Sequence, residues 1–284
     1  MKNLLVLSAS RRTDLVGCFP KVLEERLREY PPEAVHSLVI WTKNPRNLVA
    51  EGSLKETLKR YRQIYLHLTI TGMGGGEFEP RIPPWEETVD MIGPLMDLVK
   101  DPGRISWRFD PILEAESRGR TYSNFPYFSQ LSAAIAPYGI KTCRVSWVSP
   151  YKKVLGRMAG RGWSLISEDL DKRKKQVEGL KTVAQTHGME VFFCSMEGLP
   201  VSRCIDGEFL SRIHPDGLSC SREKAKGQRP LCGCTHSLDI GWYSLKCGHG
   251  CVYCYATPGK EDKMKFQITI SKFQTNSNNQ IPNY

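Results

Sequence analysis

Leu4-Leu5-Val6-Leu7-Ser8-Ala9-Ser10-Arg11-Arg12 is the stretch from which the fold is read. An apolar run too short for a helix gives way at once to hydroxyls and two guanidinium groups, which reads as a buried strand, Leu4 to Ser10, with a polar C-terminal end. The pattern recurs down the chain at Ser37 to Thr42, Ile64 to Thr71, Ile105 to Asp110, Thr142 to Val148 and Glu190 to Cys194. Amphipathic stretches separate these strands. One runs from about Pro20 to Tyr30 with Val22, Leu23 and Leu27 in helical register, and one from about Leu54 to Tyr61. A third begins near Pro84, with Glu86 and Glu87 at its positive end and a stripe of Trp85, Val89, Ile92, Met96 and Val99. A fourth covers about Phe125 to Ala136. The last is capped by Ser167, with Glu168 and Asp169 in its first turn, and follows a Lys/Arg/Gly-rich loop from Lys152 to Gly162.

Strands alternating with helices predict parallel βαβ units, in a barrel or a doubly wound sheet. The polar residues decide for the barrel. Ser8/Ser10/Arg11, Thr42/Lys43, Thr69/Thr71, Arg108/Asp110, Ser146/Ser149 and Ser195/Glu197 all fall at strand C-terminal ends, the face on which α/β barrels build their sites. A doubly wound sheet would gather a ligand at one switch point instead. The expectation is a (βα)6-type partial TIM-like barrel over residues 1–200, a Cys-rich segment over 201–258 packed at the barrel mouth, and a polar tail over 259–284 in which Phe266 to Ile270 reads as a stray strand.

The cysteines supply the chemistry. Of ten, seven (Cys204, Cys220, Cys232, Cys234, Cys247, Cys251 and Cys254) lie in the last third. The chain has no export signal in its first residues, so a disulfide framework is not expected. Cys247-Gly248-His249-Gly250-Cys251-Val252-Tyr253-Cys254 has the spacing C-x3-C-x2-C. That fits irregularly spaced thiolates around an iron–sulfur cube better than the paired C-x2-C of a zinc ribbon. Zinc remains the alternative, with His249, Cys232 or Cys234 completing the set. Ser237 to Tyr243 reads as a strand running into this loop. Cys204, Cys232 and Cys234 are candidates for a second metal site, with Cys220 as a fourth ligand.

This loop, with an aromatic before its last cysteine, resembles the cluster loop of radical S-adenosylmethionine (SAM) enzymes. Ser8 to Asp14, Trp41-Thr42-Lys43-Asn44-Pro45, and Cys232-Gly233-Cys234 followed by Asp239-Ile240-Gly241 resemble, more narrowly, the domain-of-unknown-function family DUF1848 over most of the chain, up to about Ala256. The resemblance implies a [4Fe–4S] cluster on Cys247, Cys251 and Cys254, with the fourth iron open to SAM. It implies reductive cleavage of SAM to start radical chemistry on a small-molecule or macromolecular substrate, with an electron donor such as flavodoxin or ferredoxin. Gly75, Gly76 and Glu77 resemble the Gly-Gly-Glu element that holds the cofactor's amino group, and Tyr253 joins them as a cofactor contact. In most radical SAM enzymes the loop follows the first strand. Here it comes last, so the resemblance is to a permuted core if the strand before the loop pairs with the first.

On the substrate side Arg11, Arg12 and Lys43 are the candidates, since guanidinium forks beside hydroxyls clamp a carboxylate or phosphate. Against this, Asp14 caps the next helix and pairs with one arginine, and Arg108 with Asp110 form a rim ion pair. His67 in an apolar strand and His187 before Gly188 read as structural. The net charge of +10 allows attraction to nucleic acid, yet Lys172 to Lys175 fit a solvated helix face and no basic stripe is interleaved with aromatics. With 40% hydrophobic residues and no run near the ~20 needed for a span, the chain reads as a globular cytoplasmic protein without membrane segments. The alternatives to a radical SAM-like enzyme are a zinc-stabilised α/β barrel that binds a partner and an iron–sulfur electron carrier.

Overall fold

A computed structural model of the chain describes residues 4–9, 11–167, 169–242 and 244–256. The strands are β1 Leu5–Ala9, β2 Val35–Thr42, β3 Ile64–Thr69, β4 Ile105–Ile112, β5 Glu114–Ser117, β6 Arg120–Ser123, β7 Thr142–Trp147, β8 Ser164–Leu165, β9 Glu190–Phe193 and β10 Leu238–Asp239. The helices are α1 Leu15–Cys18, α2 Pro20–Arg28, α3 Arg46–Val49, α4 Ser53–Lys59, α5 Trp85–Asp90, α6 Ile92–Val99, α7 Tyr127–Ile135, α8 Lys152–Ala159, α9 Leu170–Thr186 and α10 Gly207–Arg212.

Seven strands form one parallel sheet in the order β10-β1-β2-β3-β4-β7-β9. The order never reverses, so the doubly wound alternative fails. Right-handed crossovers that always step the same way leave their helices on one face. Leu7, Leu38, Leu66, Trp107, Phe109, Val145 and Phe193 point to that face and meet Leu23 and Leu27 of α2, Leu58 of α4, Leu95 of α6, Leu131 of α7 and Leu180 of α9 in one core. No ladder joins β9 to β10 among the described residues, so by hydrogen bonding the sheet is open there rather than a closed barrel.

The residues between these point to the other face. Val6, Val39, Trp41 and Tyr65 are covered there by Cys204, Ile205, Leu210, Cys232 and Cys234. The segment after β9 is thus a lid on the sheet's inner face. β10 pairs in parallel with β1, Leu7 opposite Leu238 and Ser8 opposite Asp239, so the strand before the cysteine loop lies against the first strand.

Four local expectations are corrected. Lys152 to Ala159 is helix α8 rather than loop; Val154 and Met158 are buried against Trp163, an apolar face masked in sequence by its basic neighbours. The N-cap of α9 is Asp169, whose carboxylate accepts from the backbone N–H of Asp171 and Lys172, so Ser167 lies outside the helix. The strand before the loop is two residues, not seven. Finally, β6-β5-β8 form a separate antiparallel sheet that the sequence reading lacks. The stray strand proposed at Phe266 to Ile270 lies outside the described residues.

Candidate metal centre

The cysteine loop is fastened to the Gly-rich loop after β3 rather than left free. The backbone N–H of Val252 donates to the Phe78 carbonyl at 3.0 Å, and the Tyr253 hydroxyl donates to Glu79. Val252 and Tyr253 share a small core with Met73, Phe78, Ile82 and Trp163. Gly250 adopts φ +69°, a conformation that calls for glycine. Arg157 of α8 donates to three loop carbonyls: Cys251 at 3.4 Å, Cys254 at 2.5 Å and Ala256 at 3.1 Å. One guanidinium therefore ties three loop carbonyls to α8, which is why the helix hidden in that basic stretch matters to the site.

At the start of the loop three donors converge. Cys18 Sγ lies 3.9 Å from Cys247 Sγ, and with His249 these form a group whose ligand atoms all fall within 4.8 Å. Asp14 organises it. One carboxylate oxygen accepts from Gly17 N at 2.7 Å and caps α1. The other accepts from Thr42 Oγ1 at 2.9 Å and Lys43 N at 2.8 Å, and lies 2.9 Å from His249 Nε2. Asp14 thus caps the helix as expected but pairs with a histidine, not an arginine. With Nε2 engaged, Nδ1 is the ring nitrogen left for a ligand, and a carboxylate behind the imidazole is the usual support of a metal-binding histidine. Gly17 lacks the Cβ that would fall 2.8 Å from the His249 ring.

Electrostatics follow from these contacts. Burial alone would raise Asp14 and lower His249; their mutual hydrogen bond and charge win, holding Asp14 below and His249 above their ordinary values. The Cys18 hydrogen bond, then the His249 charge, draw Cys247 down to about 6 against the cost of burial. Burial raises Cys251, with Glu79 adding to it, and burial raises Cys254. The three loop thiols are close enough to act on one another. The structure therefore brings together thiols and an imidazole able to hold a metal. Cys18 is the ligand the sequence did not reveal, because nothing marks a cysteine four residues after an aspartate as anything but a small buried residue.

The acid beside the loop is Glu79, not Glu77. Glu77 accepts from Trp163 Nε1 at 2.7 Å, whereas Glu79, 1% exposed, pairs with Lys43 Nζ at 2.8 Å. Lys43 also stands 5.7 Å from the centre of the Tyr253 ring. Gly75 N–H donates to the Glu79 carbonyl and Gly76 N–H to that of Met73, so the glycines form the turn that delivers Glu79. Arg11 reaches Gln228 at 3.1 Å and Ser237 at 3.5 Å and stacks 5.6 Å from the Trp41 ring centre. Tyr255 donates to the Arg11 carbonyl. The charges of Arg108, Arg12 and Arg229 act on its phenol. Arg11, Arg12 and Arg108 from the strand ends and Arg229 from the lid thus gather beside Tyr255.

Of the other sulfurs, Cys204, Cys232 and Cys234 do come together under the lid. Cys220 does not join them; its thiol meets Ser211 Oγ and the Gly207 carbonyl. His67 is buried in β3 and holds the Cys204 carbonyl at 2.7 Å, and His187 is the C-cap of α9, both structural as expected.

Fold and site define an α/β protein with a mostly parallel seven-stranded sheet and a cysteine–histidine group that could hold a metal. The model of a family described as a domain of unknown function, DUF1848, matches residues 6–256, and the chain belongs to that family. No curated protein matches. Among solved structures, the carboxyl transferase domain of pyruvate carboxylase from Rhizobium etli aligns over 74% of this chain at 10% identity and a TM-score of 0.26. The aligned part is 37% of that protein's chain, and nothing follows from so low a score. No helix among the described residues is long and apolar enough to cross a membrane.

Proposed function

We propose that this chain is a radical SAM-like iron–sulfur enzyme, with a cluster on Cys247, Cys251 and Cys254 and an anionic substrate drawn to the strand ends. The observation that carries the reading is the path of the chain. β10 runs parallel to β1 at the sheet edge and leads into a loop whose three thiols are held against the Gly74–Glu79 turn by Val252 and Tyr253.

The donor set suits the group. The thiols are soft ligands, half-buried or buried, and three on separate irons of a cube stand further apart than three on one ion. Cys254 Sγ also accepts from Ala256 N at 3.3 Å. When bound, such a cluster supplies the electron that cleaves S-adenosylmethionine. The chain's own residues do the rest. Arg157 fixes the loop backbone, and Tyr253, Glu79 and Lys43 form a closed polar set beside it. Gly75 and Gly76 shape the turn that sets Glu79 beside the loop. Arg11 and Arg12 present guanidinium groups to a carboxylate or phosphate.

Anaerobic purification followed by iron, sulfide and zinc analysis tests this, with electron paramagnetic resonance of the reduced protein with and without SAM. The reading expects about four irons and sulfides on the loop and a signal that changes shape when SAM is added. Cys251→Ala should lose both. Zinc alone at the loop after anaerobic reconstitution would refute it.

A second reading has its own support. Cys18, Cys247 and His249, the last backed by Asp14, lie at single-ion spacing. A zinc ion held there, with one further thiolate, would make the loop a structural staple. Cys18→Ala separates the two: it abolishes binding at a single-ion site and spares a cluster on the other three.

A further inference from the structure

Four thiols that the loop does not use form a contiguous series on the inner face of the sheet. Cys204, Cys232 and Cys234 share one buried cluster against which Cys194, just after β9, packs, and along the order Cys194, Cys204, Cys234, Cys232 each thiol acts on the next. Cys204, Cys232 and Cys234 are each at most 8% exposed. Two short backbone segments clasp to bring them there. Gly233 N–H donates to Ser202 O at 3.4 Å and Thr235 N–H to Ile205 O at 2.9 Å. The N–H groups of Cys204 and Ile205 both point at Cys234 Sγ, at 3.2 and 3.5 Å. Gly233 permits the approach, since a Cβ would strike Val201.

One of the cations around these thiols is buried without an anion. Arg144 is 7% exposed, and its acceptors, Tyr65 Oη at 3.1 Å, Ser106 Oγ at 2.6 Å and the Arg203 carbonyl at 2.9 Å, are all neutral. No carboxylate pairs with it among the described residues. A guanidinium stays charged even when buried, and an uncompensated buried charge is costly. The groups acting on it electrostatically include Cys204 and Cys234. Arg108 donates to Cys204 Sγ at 3.1 Å besides pairing with Asp110, and Arg229 reaches Cys194 Sγ at 3.6 Å. Two guanidinium groups and two backbone N–H groups aimed at sulfur, with a third guanidinium close enough to act on Cys204 and Cys234, are what thiolates need and what buried neutral thiols do not.

We propose that Cys194, Cys204, Cys232 and Cys234 form a four-thiolate site for a thiophilic metal, a zinc ion or an iron–sulfur cluster, separate from the loop centre. Four adjacent thiolates would repel one another without a metal. With a divalent ion or a doubly charged cluster core, they keep two net negative charges, which the surrounding arginines offset. Binding releases the thiol protons to solvent.

The test removes the loop site first. The variant Cys18→Ala/Cys247→Ala/Cys251→Ala/Cys254→Ala is purified anaerobically and analysed for zinc, iron and sulfide. Its metal-free form is then titrated with cobalt(II), whose thiolate bands report sulfur ligation. The expected result is about one equivalent of bound cobalt with sulfur-to-metal absorption. Adding Cys204→Ala or the conservative Cys232→Ser should weaken it by on the order of a hundredfold, since losing even a supporting group beyond the ligands costs ~10–100-fold. Cys220→Ala in the same background should change nothing. Zinc in the purified variant identifies a single ion, and iron with sulfide a cluster; either supports the site. A loop-depleted variant that keeps its native circular dichroism and takes up neither cobalt nor iron–sulfur overturns it. Because the loop is absent throughout, the result is independent of whether the loop binds a cluster.

Discussion

The loop at the end of β10 and the clasp under the lid are both built from cysteines, yet the charge around them is balanced differently. The loop thiols lie beside two closed ion pairs, Asp14 with His249 and Glu79 with Lys43. The clasp thiols lie beside Arg108, Arg144 and Arg229. Each site holds thiols shifted both ways: in the loop burial raises Cys251 and Cys254 while the Cys18 hydrogen bond draws Cys247 down to about 6, and in the clasp neighbouring thiols draw Cys204 and Cys232 down and raise Cys194 and Cys234. The contrast teaches that a cysteine count says little about a site; the countercharge says what occupant it suits. A three-thiolate loop with neutral pairs around it suits a centre left with an open position. A four-thiolate pocket ringed by guanidinium suits a closed, more negative one.

The largest expected break lies at Glu79. It is almost fully buried, holds Lys43, and accepts from Tyr253. Glu79→Ala leaves a lysine enclosed without its partner, and removing one member of a buried pair costs about 3–5 kcal/mol. Urea unfolding of the metal-free protein measures it. Lys43→Met combined with Glu79→Leu should recover most of that loss, because a buried pair replaced by apolar groups is often close to neutral. If both variants are equally unstable, Glu79 acts through shape rather than charge.

Arg144 sharpens the other half of the comparison. In the metal-free protein its partners are neutral, so Arg144→Met trades a poorly balanced charge against three lost hydrogen bonds, each of about 1 kcal/mol. The net change in the metal-free midpoint should be small. After metal loading, the same substitution removes a countercharge, so the variant should gain clearly less thermal stability from metal than the parent does. Equal gains would mean that the guanidinium does not sense the site.

How much of this was legible beforehand divides along the same line. The parallel βα rhythm was, because strands buried on both faces read as short apolar runs and their helices carry a clear apolar stripe. The three loop cysteines were legible as a set because eight residues hold them all. Cys18, Glu79, Arg157 and Cys194 were not. Each acts from a different element, and only the tertiary path brings α1, the turn after β3, α8 and the end of β9 to these sulfurs. Cys204, Cys232 and Cys234 were visible as candidates, but their fourth partner was assigned to Cys220 on proximity in sequence. The fold sends Cys220 to Ser211 instead and supplies Cys194 from the strand beneath the lid.

The smallest expected effect is on pH, and it concerns how the lid is pinned. His36 of β2 and His214 just after α10 pack in a tilted pair with ring centres 4.4 Å apart. His36 engages Ser37 at 2.7 Å and the Leu218 carbonyl at 2.9 Å. Burial lowers both imidazoles, and each charge would also oppose the other at His214. Arg104 faces His214 and works in the same direction, whereas Asp216 works against it and is itself paired with Arg62. Both rings are thus held neutral in the folded chain. Unfolded, they take up protons near ~6.5, so their contribution is present above that pH and is lost as pH falls toward their lowered folded values. The urea midpoint should therefore drop between pH 7.5 and pH 5.5, and His214→Phe, which keeps a ring but cannot titrate, should flatten part of that drop. Protection of Cys220 and Cys232 from thiol reagents should fall over the same interval while that of Cys251 holds, since Cys251 is fastened by Arg157 and Phe78 rather than by the lid. Simultaneous exposure of all three would mean that acid opens the whole molecule at once and that the two regions are not independently anchored.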